Sequence, residues 1–226
     1  MDTSIIWEKH PWLYHMATGG SWESISTHGL LSTTALLDLF EYSGQQRHGI
    51  ESCHRPESVP ISHPSYGTAV IRDQKPMSDR SLRKCLMTLT PTTWYKTLNG
   101  RVFFWLTEKR LKTMLNARAY KSKKQDVLVV DTQSLVRAYE SSIHLSPMNS
   151  GCTVPFAHPR GPKTFRKIED YPYDEWERKR GKNGDLIVEL AVLHSVPDIW
   201  KHVLRVESRQ GDKKLGVLWE KSINRM

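Results

Sequence analysis

One stretch of the chain, Leu186 to Ile199 (LIVELAVLHSVPDI), sets Ile187, Val188, Leu190, Ala191 and Val192 around a single carboxylate, Glu189. Aliphatic residues on consecutive positions, without polar alternation, predict a strand covered on both faces. An ionised carboxylate is costly to bury there, so Glu189 needs an ion pair, a rim position or a chemical role.

The same pattern reading predicts the other elements. Trp12 to Met16 is a short strand ending in polar, flexible residues, Ala17 to Gly20. Ser21 is placed to cap a helix with Trp22 and Ile25 on its apolar face, and Gly29 fits the left-handed position that stops it. Thr33 or Thr34 caps a second helix through Phe40. From Glu41 to about Met77 the periodicity disappears, which predicts a long ordered loop or insertion with one short strand, Thr68 to Arg72. Ser81 to Leu89 and Pro91 to Leu98 read as short helices, the second capped by Thr90. Arg101 to Leu106 (RVFFWL) is a β-prone aromatic run, and Thr107 caps a helix carrying Leu111, Met114 and Leu115. Asp126 to Asp131 is a further buried strand, followed by a helix capped by Thr132. Leu145 to Gly151 is turn chemistry, and Val154 to Asp185 has no periodicity and reads as a long loop. His202 to Glu207 and Lys214 to Glu220 flank Gln210-Gly211-Asp212 as a hairpin. The reading is one α+β domain over residues 1–226, with loop insertions at about 41–77 and 154–185.

Composition narrows the class. With 226 residues, 38% hydrophobic and 25% charged, the chain can bury a real core. Three widely spaced cysteines, Cys53, Cys85 and Cys152, form no disulfide framework and suit a reducing compartment. No signal-peptide pattern or membrane span stands out, so a cytoplasmic protein is expected. His48, Cys53, His54 and His63 lack metal-ligand spacing, and no metal is expected. No phosphate-binding glycine loop of the Walker or Rossmann type is present.

Charge points to a polyanionic partner: 33 Lys and Arg against 24 Asp and Glu give a formal +9. Lys109, Arg110, Lys112, Arg118, Lys121, Lys123 and Lys124 occur without an acidic residue among them, as a phosphate-facing surface or as a solvated face.

Three fragments in order then carry a resemblance. LYHMATGGSWESISTHGLLS (Leu13 to Ser32), RVFFWLTEKRLKTML (Arg101 to Leu115) and VELAVLHSVPDI (Val188 to Ile199) resemble the motifs of NAD-dependent ADP-ribosyltransferases of the DarT type. In these a strand-borne His-x-Thr precedes a short helix ending in His-Gly-Leu-Leu-Ser, and a catalytic Glu lies on a later strand. One departure is that His15-Met16-Ala17 stands in place of His-x-Thr, with Thr18 one position later. The GLLSTTALLD, IRDQ, VFFWL, LSPMNSG and VELAV stretches are similar to an uncharacterised bacterial family of this length, a kinship that supplies no activity.

The resemblance implies split mixed β-sheets with short helices around an NAD cleft, and transfer of ADP-ribose from NAD to a nucleic-acid base, DNA or RNA. Glu189 would be the catalytic carboxylate, stabilising an oxocarbenium-like ribose and serving as general base. His15, Thr18, Gly19 and Ser32 would hold NAD, with Phe104 and Trp105 at the nicotinamide, one toward the ligand and the other in the core. Arg72 is a candidate diphosphate clamp. Lys109, Arg110, Arg118, Lys121, Arg160 and Arg166 are the candidate nucleic-acid contacts. The Val154 to Asp185 segment corresponds to the substrate-recognition loop, its Arg160, Lys163, Phe165, Arg166, Tyr171, Tyr173 and Trp176 suited to an unpaired base. A toxin or phage-defence role, with an antitoxin protein as partner, stays open. So do two other readings: an RNA 2′-phosphotransferase, whose Arg-His-Arg-Arg set is not found in order here, and a non-catalytic basic nucleic-acid-binding protein.

Overall fold

A computed structural model describes residues 2–222. Its strands are β1 (Trp12–Thr18), β2 (Leu30–Leu31), β3 (Val59–His63), β4 (Gly67–Ile71), β5 (Arg101–Trp105), β6 (Lys124–Asp131), β7 (Ile143–Ser146), β8 (Arg166–Lys167), β9 (Glu189–Leu193), β10 (Ser195–Val196), β11 (Val203–Gln210) and β12 (Lys213–Glu220). Its helices are α1 (Ser4–Lys9), α2 (Trp22–His28), α3 (Thr33–Leu39), α4 (Gly44–Glu51), α5 (Asp79–Cys85), α6 (Pro91–Asn99), α7 (Glu108–Leu115), α8 (Thr132–Tyr139) and α9 (Tyr173–Arg180). The architecture is α+β, as the pattern predicts.

Eight strands form one sheet in the order β12-β11-β6-β1-β5-β9-β7-β8, and β2–β10 and β3–β4 form two small ones. Every pairing of named strands is antiparallel. The aliphatic runs occupy the middle: Val127 to Val130 in β6 and Leu190 to Val192 in β9 are fully buried. The break in this sheet matters most. β1 pairs with β6 along its whole length, from Trp12 opposite Asp131 to Thr18 opposite Gln125. With β5 it pairs only at Tyr14 opposite Trp105. Beyond that point β1 and β5 part and a gap opens in the sheet.

Several local expectations are corrected. Residues 41–77 hold α4 and the β3–β4 hairpin, which share a core of Leu37, Phe40, Ile50, Ile61 and Ile71. The helix escapes periodicity because Ile50 is its one buried residue. Residues 154–185 hold β8 and α9; the latter, YDEWERKR, buries only Tyr173 and so shows no apolar stripe. Ser32 caps α3 in place of Thr33 or Thr34, its Oγ accepting from the Ala35 N–H at 3.1 Å. Asp131 caps α8 in place of Thr132. Ser21 makes no side-chain cap; Asp126, reaching over from β6, accepts from the Trp22 N–H at 3.0 Å. Ala17 and Thr18 continue β1. Gly29 stops α2 with φ +85° but ψ 174°, extended rather than left-handed helical, and a Cβ there would lie 2.5 Å from Pro197 Cα.

Candidate functional site

The gap between β1 and β5 is the floor of a cleft of about 300 Å³. Because it interrupts the sheet, consecutive residues of both strands line it: His15 to Thr18 from β1 and Arg101 to Trp105 from β5. The α2–β2 segment, the end of β4 with Arg72 and Asp73, Tyr120, the Asn149–Gly151 turn and Glu189 complete the wall. Glu189 and His15 therefore face one cavity.

Glu189 opens β9 opposite Trp105 on one side and Ser146 on the other, so these three side chains share a face. It is 4% exposed. The Ser150 N–H donates to its Oε2 at 3.1 Å. The Ser150 hydroxyl beside it is buried and makes no well-aligned hydrogen bond. Burial pushes the Glu189 carboxyl up to about 7, against the opposing pull of Ser150 and the positive charges of Arg160 and Arg110. A carboxyl poised near neutrality can take a proton from an acceptor, and when ionised it can face a developing cation.

His15 bridges the gap. Its Nδ1 lies 2.9 Å from the Phe103 carbonyl oxygen, which only accepts, so Nδ1 carries the proton and Nε2 presents a lone pair. Burial holds this imidazole down to about 4, with the Arg72 charge acting in the same direction, so it is neutral near pH 7. A neutral acceptor suits a sugar hydroxyl. The ring also meets Phe104 edge-on at 5.8 Å.

Arg72 crosses from β4 to β1, donating from Nη1 to the Met16 carbonyl at 2.9 Å. Its Nη2 is buried with no partner among the described residues. The guanidinium lies over the Tyr120 ring at 5.1 Å, and the Tyr120 hydroxyl donates to Asp73 Oδ1 at 2.6 Å. A buried guanidinium with an unused nitrogen at a cavity wall is an anion acceptor in waiting.

Two further arginines build the frame. Arg55, 6% exposed, donates to the carbonyls of Arg72 and Ile50 and to Asn99 Oδ1, which fixes the strand end that carries Arg72. Arg160, 1% exposed, donates to the carbonyls of His158, Ser150 and Cys152 and so fixes the turn whose N–H meets Glu189. This corrects the expectation that Arg160 contacts nucleic acid: a guanidinium buried on three carbonyls cannot reach a phosphate backbone. Neither frame role leaves a sequence pattern, since an arginine in a polar loop reads as surface.

Among the other predicted residues, Thr18, Ser32, Phe104 and Trp105 line the cleft. Phe104 is core and Trp105 is half-buried against the Tyr14, Met16 and Leu111 cluster. Gly19 is not on the wall: its N–H donates to Lys124 O at 3.1 Å, and a Cβ would lie 2.9 Å from that oxygen. Its glycine identity is therefore set by the close approach to the Lys124 backbone at the start of β6. Lys109, Arg118 and Lys121 are exposed, whereas Arg110 is paired with Asp185 at 2.6 Å. Arg166 is half-buried on β8. Of the aromatics expected to hold a base, Phe165, Tyr171 and Tyr173 are buried in the core, so they cannot stack on one. Ser150, Asn149, Asp73 and Tyr120 line the cleft without having been singled out in sequence.

Among the described residues no group of three or more His, Cys, Asp or Glu side chains is set to hold a metal ion. No helix there is long and apolar enough to cross a membrane.

Residues 11–203 match DUF7002, a family of unknown function, and the chain belongs to that family. The match runs from just before β1 to the first residue of β11, so it takes in the cleft from His15 to Glu189. No curated protein matches the chain.

Proposed function

We propose that the chain is a mono-ADP-ribosyltransferase that moves ADP-ribose from NAD to a nucleic-acid base. The observation that carries this reading is the shared cleft: Glu189 and His15 line one cavity with Arg72, whose buried Nη2 has no partner among the described residues. In this reading the neutral His15 Nε2 accepts from a ribose hydroxyl, and Arg72 takes a diphosphate oxygen. Glu189 faces the ribose carbon as the nicotinamide bond breaks, then accepts the proton that the attacking base loses. Deprotonation of Glu189 near pH 7 fits a general base working at neutral pH. The formal +9 favours a polyanionic acceptor.

The 2′-phosphotransferase reading needs an Arg-His-Arg-Arg set that is not found in order in the chain, and Arg55, one of the cleft arginines, spends Nε, Nη1 and Nη2 on protein acceptors. Incubation with NAD labelled in its adenosine, together with DNA, RNA and protein pools, tests the assignment. Label on a nucleic-acid pool is the expected result. Nicotinamide release with label only on protein would replace the acceptor, and no release with any pool would remove the activity.

A further inference from the structure

Some exposed cations and an exposed aromatic stand apart from the 109–124 run. They lie on α5 and on the segment that leaves the cleft at Gly151. This segment runs alongside α5 and is stitched to it at both ends. At one end the Thr153 N–H donates to Pro76 O at 2.9 Å and the Ser78 N–H to Thr153 Oγ1 at 2.8 Å. At the other, the Arg160 N–H donates to Cys85 O at 2.9 Å and the Met87 N–H to Arg160 O at 2.8 Å. Between them Ala157 packs on the Leu82, Cys85 and Trp94 cluster. The segment is thus a fixed arch, cinched from inside by Arg160.

Its crest is apolar and open. Phe156 is 76% exposed, Val154 51%, and the neighbouring Met87 59%. Beside them α5 exposes Arg80, Arg83 and Lys84. None of these three has a carboxylate within ion-pair distance among the described residues, and the one acidic residue of the helix, Asp79, accepts from the Tyr95 hydroxyl. A free aromatic ring beside three unpaired cations is the chemistry of an unpaired nucleic-acid strand, whose bases stack while its phosphates meet the charges. A duplex keeps its bases stacked away from such a ring.

The geometry points to α5 and the 152–158 arch as the docking surface for a single-stranded nucleic acid. Phe156 stacks on a base, and Arg80, Arg83 and Lys84 contact the phosphates, which leads the strand to the Glu189 end of the cleft. The inference rests on the proposed nucleic-acid acceptor but places the contact away from Lys109 to Lys124.

The test is binding without NAD, read by fluorescence anisotropy with a short labelled single strand of DNA, the same sequence as RNA, and the duplex. Phe156→Ala is expected to weaken single-strand binding by about ten-fold, with Phe156→Trp restoring it. Arg80→Gln, Arg83→Gln and Lys84→Gln together should make the salt slope shallower by about 2. The same combination at Lys121, Lys123 and Lys124 should have little effect. Nicotinamide release in the absence of acceptor should be unchanged in all of these variants. Loss of binding in the Lys121 group with the α5 group unaffected, equal preference for duplex, or no binding of any strand by the wild type would overturn the docking surface. Strand binding of the expected pattern with no NAD turnover would leave the surface standing and remove the transferase reading.

Discussion

Replacing Glu189 by Gln should stabilise the protein in a pH-dependent way. In the folded chain the carboxyl sits at about 7 against an ordinary 4.5 because burial disfavours its charge. Between these values the folded state binds more protons than the unfolded state, so stability falls as pH rises, and the cost is fully present above the folded value. At about 1.4 kcal/mol per pH unit the cost is about 3 kcal/mol. Gln carries no such charge. The stability difference between Glu189→Gln and wild type should therefore shift by about 3 kcal/mol toward the variant from about pH 4.5 to about pH 8. His15 works the other way: held down to about 4, it leaves the unfolded chain with more protons between 4 and 6.5, so its effect weakens the fold as pH falls through that window. The two slopes oppose each other in the wild type, and the variant difference isolates Glu189. Urea unfolding followed by tryptophan fluorescence at several pH values gives the quantity directly. A difference that does not change with pH would refute the argument that Glu189 is buried at a cost.

Two other perturbations probe the frame. Arg160→Met should cost about 3 kcal/mol by leaving the Ser150, Cys152 and His158 carbonyls without their donor. It should also move the acid limb of any activity profile to higher pH, because the charge that lowers the Glu189 value is gone; a lost stability with an unmoved limb would show that Arg160 only holds the arch. Gly29→Ala, which must fit a Cβ 2.5 Å from Pro197 Cα at φ +85°, should lower Tm by about 5 °C or more. Gly44→Ala, at φ +59° with nothing within 4 Å, should cost clearly less, and equal losses would mean that the close approach to Pro197 does not matter.

The strands were legible because aliphatic runs such as Val127 to Val130 have one stable fate, burial between layers. Glu189 was legible as the polar residue that broke such a run. The cleft was not, because it depends on where β1 and β5 part after Tyr14 and Trp105, a matter of three-dimensional register. Helices α4 and α9 were hidden by having a single buried residue each. The arginines show the limit most clearly. Arg110 finds Asp185 75 positions away, and Arg160 turns inward onto carbonyls, so a local charge count misassigns both. The candidate residue His15 came from motif resemblance and Arg72 from the chemistry of its guanidinium, and their spatial meeting is visible only in the fold.

The most direct measurement is nicotinamide release from NAD by the wild type and by Glu189→Gln at neutral pH, with nucleic acid present and with folding of both proteins verified. Release by the wild type and its loss by a factor of about 100 or more in the variant is the expected result. Equal release by the two proteins, or none by the wild type with any acceptor, would contradict the assignment of this cleft as the site of NAD chemistry.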